Sequence, residues 1–264
     1  MSQGTSSAFL LEDTWGAAPA VQQHRDRTMR VFIGFDPAEA EAAEVAHTSL
    51  TRHASAPLTT TYIRLGELRG RGMYTRPTAE PQLGQLWDVI SNAPMSTEFA
   101  ISRFFIPHLA APTDAWALFV DSDVVALADP LAILAEANPH CALQCVHHPH
   151  ALQGGSVKKV NRPQLPYARK NWSSVMLWNL RHPAHRRLTL SHLNSTPGRD
   201  LHRFGWLEYG ELGSLSDRWN WLVNVRERPA DAAIAHFTLG GPWLSGWGGA
   251  PHDNIWLEAR NGIR

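Results

Sequence analysis

Residues 115–120 read AWALFV, an unbroken apolar run that stops abruptly at Asp121-Ser122-Asp123. A run this short, bounded by polar residues, predicts a strand buried on both faces. Two carboxylates adjoining such a strand are costly unless something compensates them. At the carboxyl end of a strand in an open α/β sheet, the compensating group is often a ligand. Carboxylates spaced i, i+2 offer hard oxygen atoms that grip Mg²⁺ or Mn²⁺, with phosphate oxygens and water completing the shell. The competing reading is a turn in which one Asp caps the next helix.

The flanking sequence supports an α/β arrangement. Residues 30–35, RVFIGF, predict a first strand. Asp36-Pro37-Ala38-Glu39 then reads as an N-cap, a Pro at the first helical position and a Glu three residues after the cap. A helix should run from there to about Arg52, with Ala42, Val45, Ala46 and Ser49 on one face. Residues 58–65 predict a second strand, and 69–81 a Gly-, Arg- and Pro-rich loop. Residues 97–109 predict a helix that Pro107 kinks or closes. A short helix at 130–137, strands at 141–146 and 172–180, and a helix at 184–193 complete the regular elements. Residues 147–166 read as irregular, and from Phe237 onward the Gly- and Trp-rich sequence predicts a folded-back loop. The expected organisation is one α/β domain over residues 28–264 with an irregular C-terminal region, preceded by a flexible tail at 1–27.

Composition excludes several classes. Lys plus Arg and Asp plus Glu number 24 each, so the net charge is zero and bulk-charge binding of nucleic acid is not expected. The two cysteines, Cys141 and Cys145, exclude a disulfide scaffold. No apolar run approaches the roughly 20 residues a membrane-spanning helix needs, and no signal peptide is evident, so the expected compartment is the cytoplasm. The sequence has no P-loop, no G-x-S-x-G elbow and no G-x-G-x-x-G fingerprint. Its 11 tryptophans suit either core packing or flat walls for sugars and bases.

A second chemical feature lies late in the chain. His236 stands in the apolar segment Ile234-Ala235-His236-Phe237, followed by Thr238-Leu239-Gly240-Gly241-Pro242-Trp243. Imidazole is a good third ligand for Mn²⁺, and the glycines allow backbone N–H groups to approach an anion. The alternative is a satisfied core histidine.

Taken together, these segments resemble the GT-A fold glycosyltransferases, most closely the retaining family 8. Residues 31–36, the segment Ser102-Arg103-Phe104-Phe105-Ile106-Pro107, the LFVDSDVV strand at 118–125, the SSVMLWNL strand at 173–180, the pair Trp219-Asn220 and the late His with G-G-P-W carry the likeness, which covers roughly residues 30–245. It implies a Rossmann-like mixed sheet flanked by helices. It also implies a divalent cation, Mn²⁺ or Mg²⁺, held by Asp121, Asp123 and His236, with Asp123 the more direct ligand. Phe35 and Asp36 would face the base, Arg103 would reach the donor sugar or diphosphate, and Ser122, Gly240, Gly241 and Trp243 would complete the donor side. Ser173 and Ser174 would lie near the transferred sugar, with Trp206 on the acceptor or sugar side.

Two departures are evident. The family has a Lys before Pro-Trp that holds the diphosphate; here the position is Gly241. The nearest basic supply is Lys158, Lys159, Arg169 and Lys170. The family's Asp-Gln-Asp segment is missing, and Phe204-Gly205-Trp206-Leu207-Glu208 stands in its place, leaving Glu208 as the acidic counterpart. The expected activity is transfer of a hexose from a nucleotide sugar, UDP-glucose or UDP-galactose, to an acceptor hydroxyl with retention. The acceptor could be a glycan, a lipid, a small molecule or hydroxymethylated bases in DNA. For DNA, the basic residues between Lys158 and Lys170, then Arg181, Arg186, Arg187, Arg199 and Arg203, interleaved with Trp172, Trp178, Phe204 and Trp206, would track the phosphate backbone. The rival from another class is a noncatalytic carbohydrate-binding module.

Overall fold

The computed structural model describes residues 29–149, 169 and 171–262. The expected tail at 1–27 and the basic residues Lys158, Lys159 and Lys170 lie outside the described residues. In chain order the strands are β1 (Met29–Gly34), β2 (Thr59–Ile63), β3 (Thr78–Gln82), β4 (Gln85–Asp88), β5 (Ala93–Pro94), β6 (Trp116–Val120), β7 (Val124–Ala126), β8 (Leu143–Val146), β9 (Val175–Asn179), β10 (Leu212–Leu215), β11 (Trp221–Leu222) and β12 (Ile234–His236).

The central sheet has six strands in the order β10-β8-β9-β6-β1-β2. β1 runs parallel to β2 and β6, and β10 runs parallel to β8; β9 is reversed against both β6 and β8. The middle strands alternate across the sheet as a period of two demands. Phe32, Ala117, Phe119, Met176 and Trp178 enter one core. Val31, Ile33, Leu118, Val120, Val175 and Leu177 enter the other. Both faces are covered, which is why these strands read as continuous apolar runs.

A second sheet orders β11-β12-β7, with β12 antiparallel to β7 and parallel to β11. Asp121, Ser122 and Asp123 are the three residues joining β6 of the large sheet to β7 of the small one. A third core, containing Val45, Trp221, Phe237, Ile255 and Trp256, covers this small sheet.

Several local expectations are corrected. The loop expected at 69–81 ends in a strand, because β3 and β4 form a hairpin extended by β5. The helix expected at 97–109 is three short pieces, Phe99–Ser102, a 3-10 turn Arg103–Phe105, and Ile106–Leu109. Pro107 sits in the first turn of the last piece, where its missing N–H costs nothing. The helix expected at 184–193 is a 3-10 segment, Pro183–Arg187, followed by Leu190–Ser195. The C-terminal region is not wholly irregular: Asp253–Asn261 is helical and buries Ile255 and Trp256. Asp253 anchors the start of that helix by accepting from the Trp247 indole N–H and from the Ala250 amide.

Candidate active site

The junction between the two sheets builds the site. Asp121 follows the central strand β6, and its amide donates at 2.9 Å to the carbonyl of Ser174, the residue just before the reversed neighbour β9. In the antiparallel pairing of β12 with β7, His236 is opposite Val124. The Phe237 amide donates to the Asp123 carbonyl at 2.9 Å, closing the pairing. Strand register therefore delivers His236 to Asp123 across more than a hundred residues of chain. The His236 Nε2 atom lies 3.3 Å from Asp123 Oδ1, with both side chains 1–2% exposed.

Ligand atoms of Asp121, Asp123 and His236 all lie within 4.8 Å of one another. Two carboxylates and an imidazole suit Mn²⁺, and Mg²⁺ less well. The residues present fit a divalent cation, since concentrating two buried carboxylates beside an imidazole calls for positive charge. Part of that charge is in the protein. Arg103 Nη1 donates to Asp121 Oδ1 at 2.7 Å and to the Ser173 carbonyl at 2.8 Å, while its Nε donates to the Phe99 carbonyl.

The other expected donor-side residues divide. Asp36 Oδ1 caps the Pro37–Glu39 turn through the Ala38 amide, and Oδ2 accepts from the Glu98 amide at 3.0 Å. It thus ties the end of β1 to the segment that carries Arg103. Gly34 is required beside it, because a Cβ there would run into the Phe99 ring. The Phe35 ring lies under the Arg64 guanidinium at 3.6 Å and meets the edge of Tyr62 at 5.7 Å. Ser122 points elsewhere: it is fully buried and its hydroxyl donates to Glu39 Oε2 at 2.7 Å. That bond holds the Pro37–Glu39 turn, which leads into the helix Ala40–His53, against the D-S-D turn.

Gly240 has φ +102°, a conformation that favours glycine. The Trp243 ring folds back over Gly241, so closely that any Cβ would strike it. Trp243 packs against Phe237 and Trp256 at ring distances of 6.2 and 5.5 Å. The position where the resemblance expects a Lys is thus filled by an indole.

Ser173 and Ser174 are both buried beside Asp121 and Arg103. Ser173 Oγ meets His202 Nδ1 at 2.8 Å. Burial first, and then the Arg103 charge, pushes the His202 imidazole down to about 3, so it faces Ser173 neutral. Trp206 does not present a sugar wall. It is 5% exposed and lies in the core against Trp178, Phe104 and Phe204. Those buried rings are also unavailable to stack on bases. Glu208 is exposed and pairs with Arg187.

Sequence reasoning missed four residues near the site. In sequence Glu39 shows only as the glutamate three residues after the Asp36 cap. His202 carries no motif, and Asn171 stands out in sequence only as the first residue of a chance glycosylation sequon, Asn171-Trp172-Ser173. His148 lies in the segment at 147–166 expected to be irregular, yet it is 9% exposed and its Nε2 has no hydrogen-bond partner among the described residues. Burial above all, then the adjoining His236, Arg226 and His147 groups, pushes its imidazole down to about 3.

No family model matches the sequence. The protein CDI of Arabidopsis thaliana is 36% identical over 237 residues, spanning 88% of this chain and 86% of that one. The chain belongs to the CDI family. Among solved structures, the galactosyltransferase LgtC, determined in complex with donor and acceptor sugar analogues, matches with a TM-score of 0.52 at 15% identity, over 89% of this chain and 96% of that one. The glycosyltransferase GlyE of Streptococcus pneumoniae matches with a TM-score of 0.51 at 17% identity, over 88% of this chain. The bifunctional glycosyltransferase WbbM matches with a TM-score of 0.53 at 14% identity, also over 88%. The chain spans 60% of GlyE and 49% of WbbM. These likenesses show the fold: this member of the CDI family has a GT-A type domain. Among the described residues, no helix is long and apolar enough to cross a membrane.

Proposed function

We propose that this protein is a divalent-metal-dependent glycosyltransferase that moves a hexose from a nucleotide sugar, best a UDP-hexose, to an acceptor hydroxyl with retention, in the manner of family 8. The observation that carries the reading is the convergence of Asp121, Asp123 and His236 within 4.8 Å at the carboxyl end of a central strand. That is where ligands bind in open α/β sheets.

A bound Mn²⁺ or Mg²⁺, held by these three side chains, would neutralise charge on the departing nucleoside diphosphate. Arg103 orients the Asp121 carboxylate and adds a fixed positive charge beside the donor. In the turn at Gly240 and Gly241, the Gly240 N–H is committed to the Phe237 carbonyl at 2.8 Å, so the Gly241 N–H is the one that would serve the phosphates. Phe35, backed by Arg64 and Tyr62, offers a flat wall for the base. Ser173, fixed by neutral His202, lies on the sugar side. The bond from the anomeric carbon to the phosphate oxygen breaks as the acceptor oxygen attacks the same face, and the acceptor proton passes to the departing phosphate. A noncatalytic sugar module built on the Trp-rich C-terminus is less well supported, because Trp256 is fully buried, the Trp243 ring packs against Phe237 and Trp256, and the Trp247 indole N–H donates to Asp253.

The test is release of free nucleoside diphosphate from UDP-, GDP- and ADP-sugars with Mn²⁺, with EDTA, and with Asp123→Ala. Slow hydrolysis of one donor that needs Mn²⁺ and disappears in the variant supports the transferase. No hydrolysis, together with no metal-dependent thermal shift from any nucleotide, overturns it. Hydroxymethylated DNA, glycans and simple sugars then form the acceptor panel.

A further inference from the structure

We infer that Asn220 is a positioning residue for the metal site: it fixes which nitrogen of His236 carries the proton and so directs Nε2 at the cation. The inference rests on the metal-dependent reading above.

The argument is a chain of donors and acceptors. Asn220 is fully buried, in the 3-10 turn that leads into β11. Its Nδ2 donates to the Asn171 carbonyl at 3.0 Å. A carbonyl oxygen only accepts, so the amide nitrogen must face it and the amide orientation is set. Asn220 Oδ1 then faces His236 Nδ1 at 2.9 Å. Oδ1 also only accepts, so Nδ1 must carry the hydrogen. In the neutral ring Nε2 is consequently the lone-pair atom, and Nε2 is the atom 3.3 Å from Asp123 Oδ1. Two electron-rich atoms held that close in a buried site are compatible when a cation lies beside them.

The carbonyl that fixes Asn220 is itself fixed. Asn171 has φ +63°, a left-handed conformation uncommon outside glycine. Its side-chain Oδ1 accepts from the Thr238 hydroxyl at 3.3 Å, two residues beyond His236. The turn before Ser173, the Trp219-Asn220 turn and the strand that carries His236 are thus locked to one another. Outer-shell partners of this kind commonly change metal affinity by about 10–100-fold when removed.

The test compares wild type, Asn220→Leu and Asn220→Asp. Mn²⁺ affinity is measured by calorimetry, alone and with UDP, and the His236 tautomer by long-range ¹H–¹⁵N spectra of the metal-free protein, assigned with His236→Gln. The expected result is an Nδ1–H tautomer in wild type, a loss of about 10–100-fold in Mn²⁺ affinity in Asn220→Leu, and a smaller loss in Asn220→Asp, which keeps the acceptor for Nδ1–H but gives up the bond to the Asn171 carbonyl. Equal losses in both variants would mean that Asn220 acts on packing alone and would overturn the inference. So would wild-type affinity in Asn220→Leu, or a proton on Nε2 in metal-free wild type at pH 8; if Asn220→Leu does not fold, the wild-type spectrum and Asn220→Asp decide. Wild type that binds no Mn²⁺ under either condition overturns the metal reading itself, and this inference with it.

Discussion

Arg103 and Asp121 form a buried ion pair in which one guanidinium nitrogen bridges the Asp121 carboxylate at 2.7 Å and the Ser173 carbonyl at 2.8 Å. Their side chains are 6% and 12% exposed, so water screens the pair little. Arg103→Ala strips a donor from a buried carboxylate and is expected to destabilise the fold by about 3–5 kcal/mol. Arg103→Lys keeps the charge but presents a compact ammonium where a planar fork is needed. It should recover only part of the urea midpoint and little of the donor hydrolysis. Full recovery of both by Lys would show that charge alone matters.

Gly241 explains the absence of the expected Lys as a packing choice. Gly241→Ala drives a methyl group into the Trp243 ring, which is held by Phe237 and Trp256. The expected cost is about 1–3 kcal/mol, as for overpacking elsewhere. Thermal melting of Gly241→Ala and of Gly241→Ala/Trp243→Ala measures it. The second change should relieve the clash, so the double variant should lose less than the sum of the two single effects.

Trp206 should behave as a core residue. Trp206→Ala removes a ring packed against Trp178, Phe104 and Phe204 and is expected to cost about 3–5 kcal/mol. At a temperature where the variant remains folded, KM for the donor should stay within about twofold, a change of about 0.4 kcal/mol. A large KM increase without a stability loss would instead place the indole on the substrate.

His185 gives a pH signature. Burial pushes its imidazole from 6.5 down to about 4, partly offset by its hydrogen bond to the Asn179 carbonyl. Between those values the unfolded chain binds the proton and the folded chain does not. Stability from this group is therefore full above pH 6.5 and is lost as the pH falls toward 4, by up to about 1.4 kcal/mol per pH unit. Urea midpoints of wild type and His185→Gln from pH 7 to 4.5 should converge on acidification. Parallel curves would show that His185 titrates normally in the folded protein.

The central strands and the turn after β6 were legible in the sequence because their causes are local. A strand buried on both faces must be continuously apolar, and the Asp121-Ser122-Asp123 step ends it within three residues. The helix after Asp36 was legible for the same reason: cap, Pro and periodicity all lie within one segment. The short pieces between 97 and 109 were not, since their breaks follow from what Arg103 and Phe105 must reach across the core. Nor was the helix Asp253–Asn261, whose apolar face exists only against the third core. His236 and the D-S-D turn were visible separately as chemistry. Only the register of β12 on β7 brings them together, and only the amide of Asn220 sets which ring nitrogen faces Asp123. Side-chain type is written along the chain, but pairing between segments a hundred residues apart is decided by the packing of two sheets.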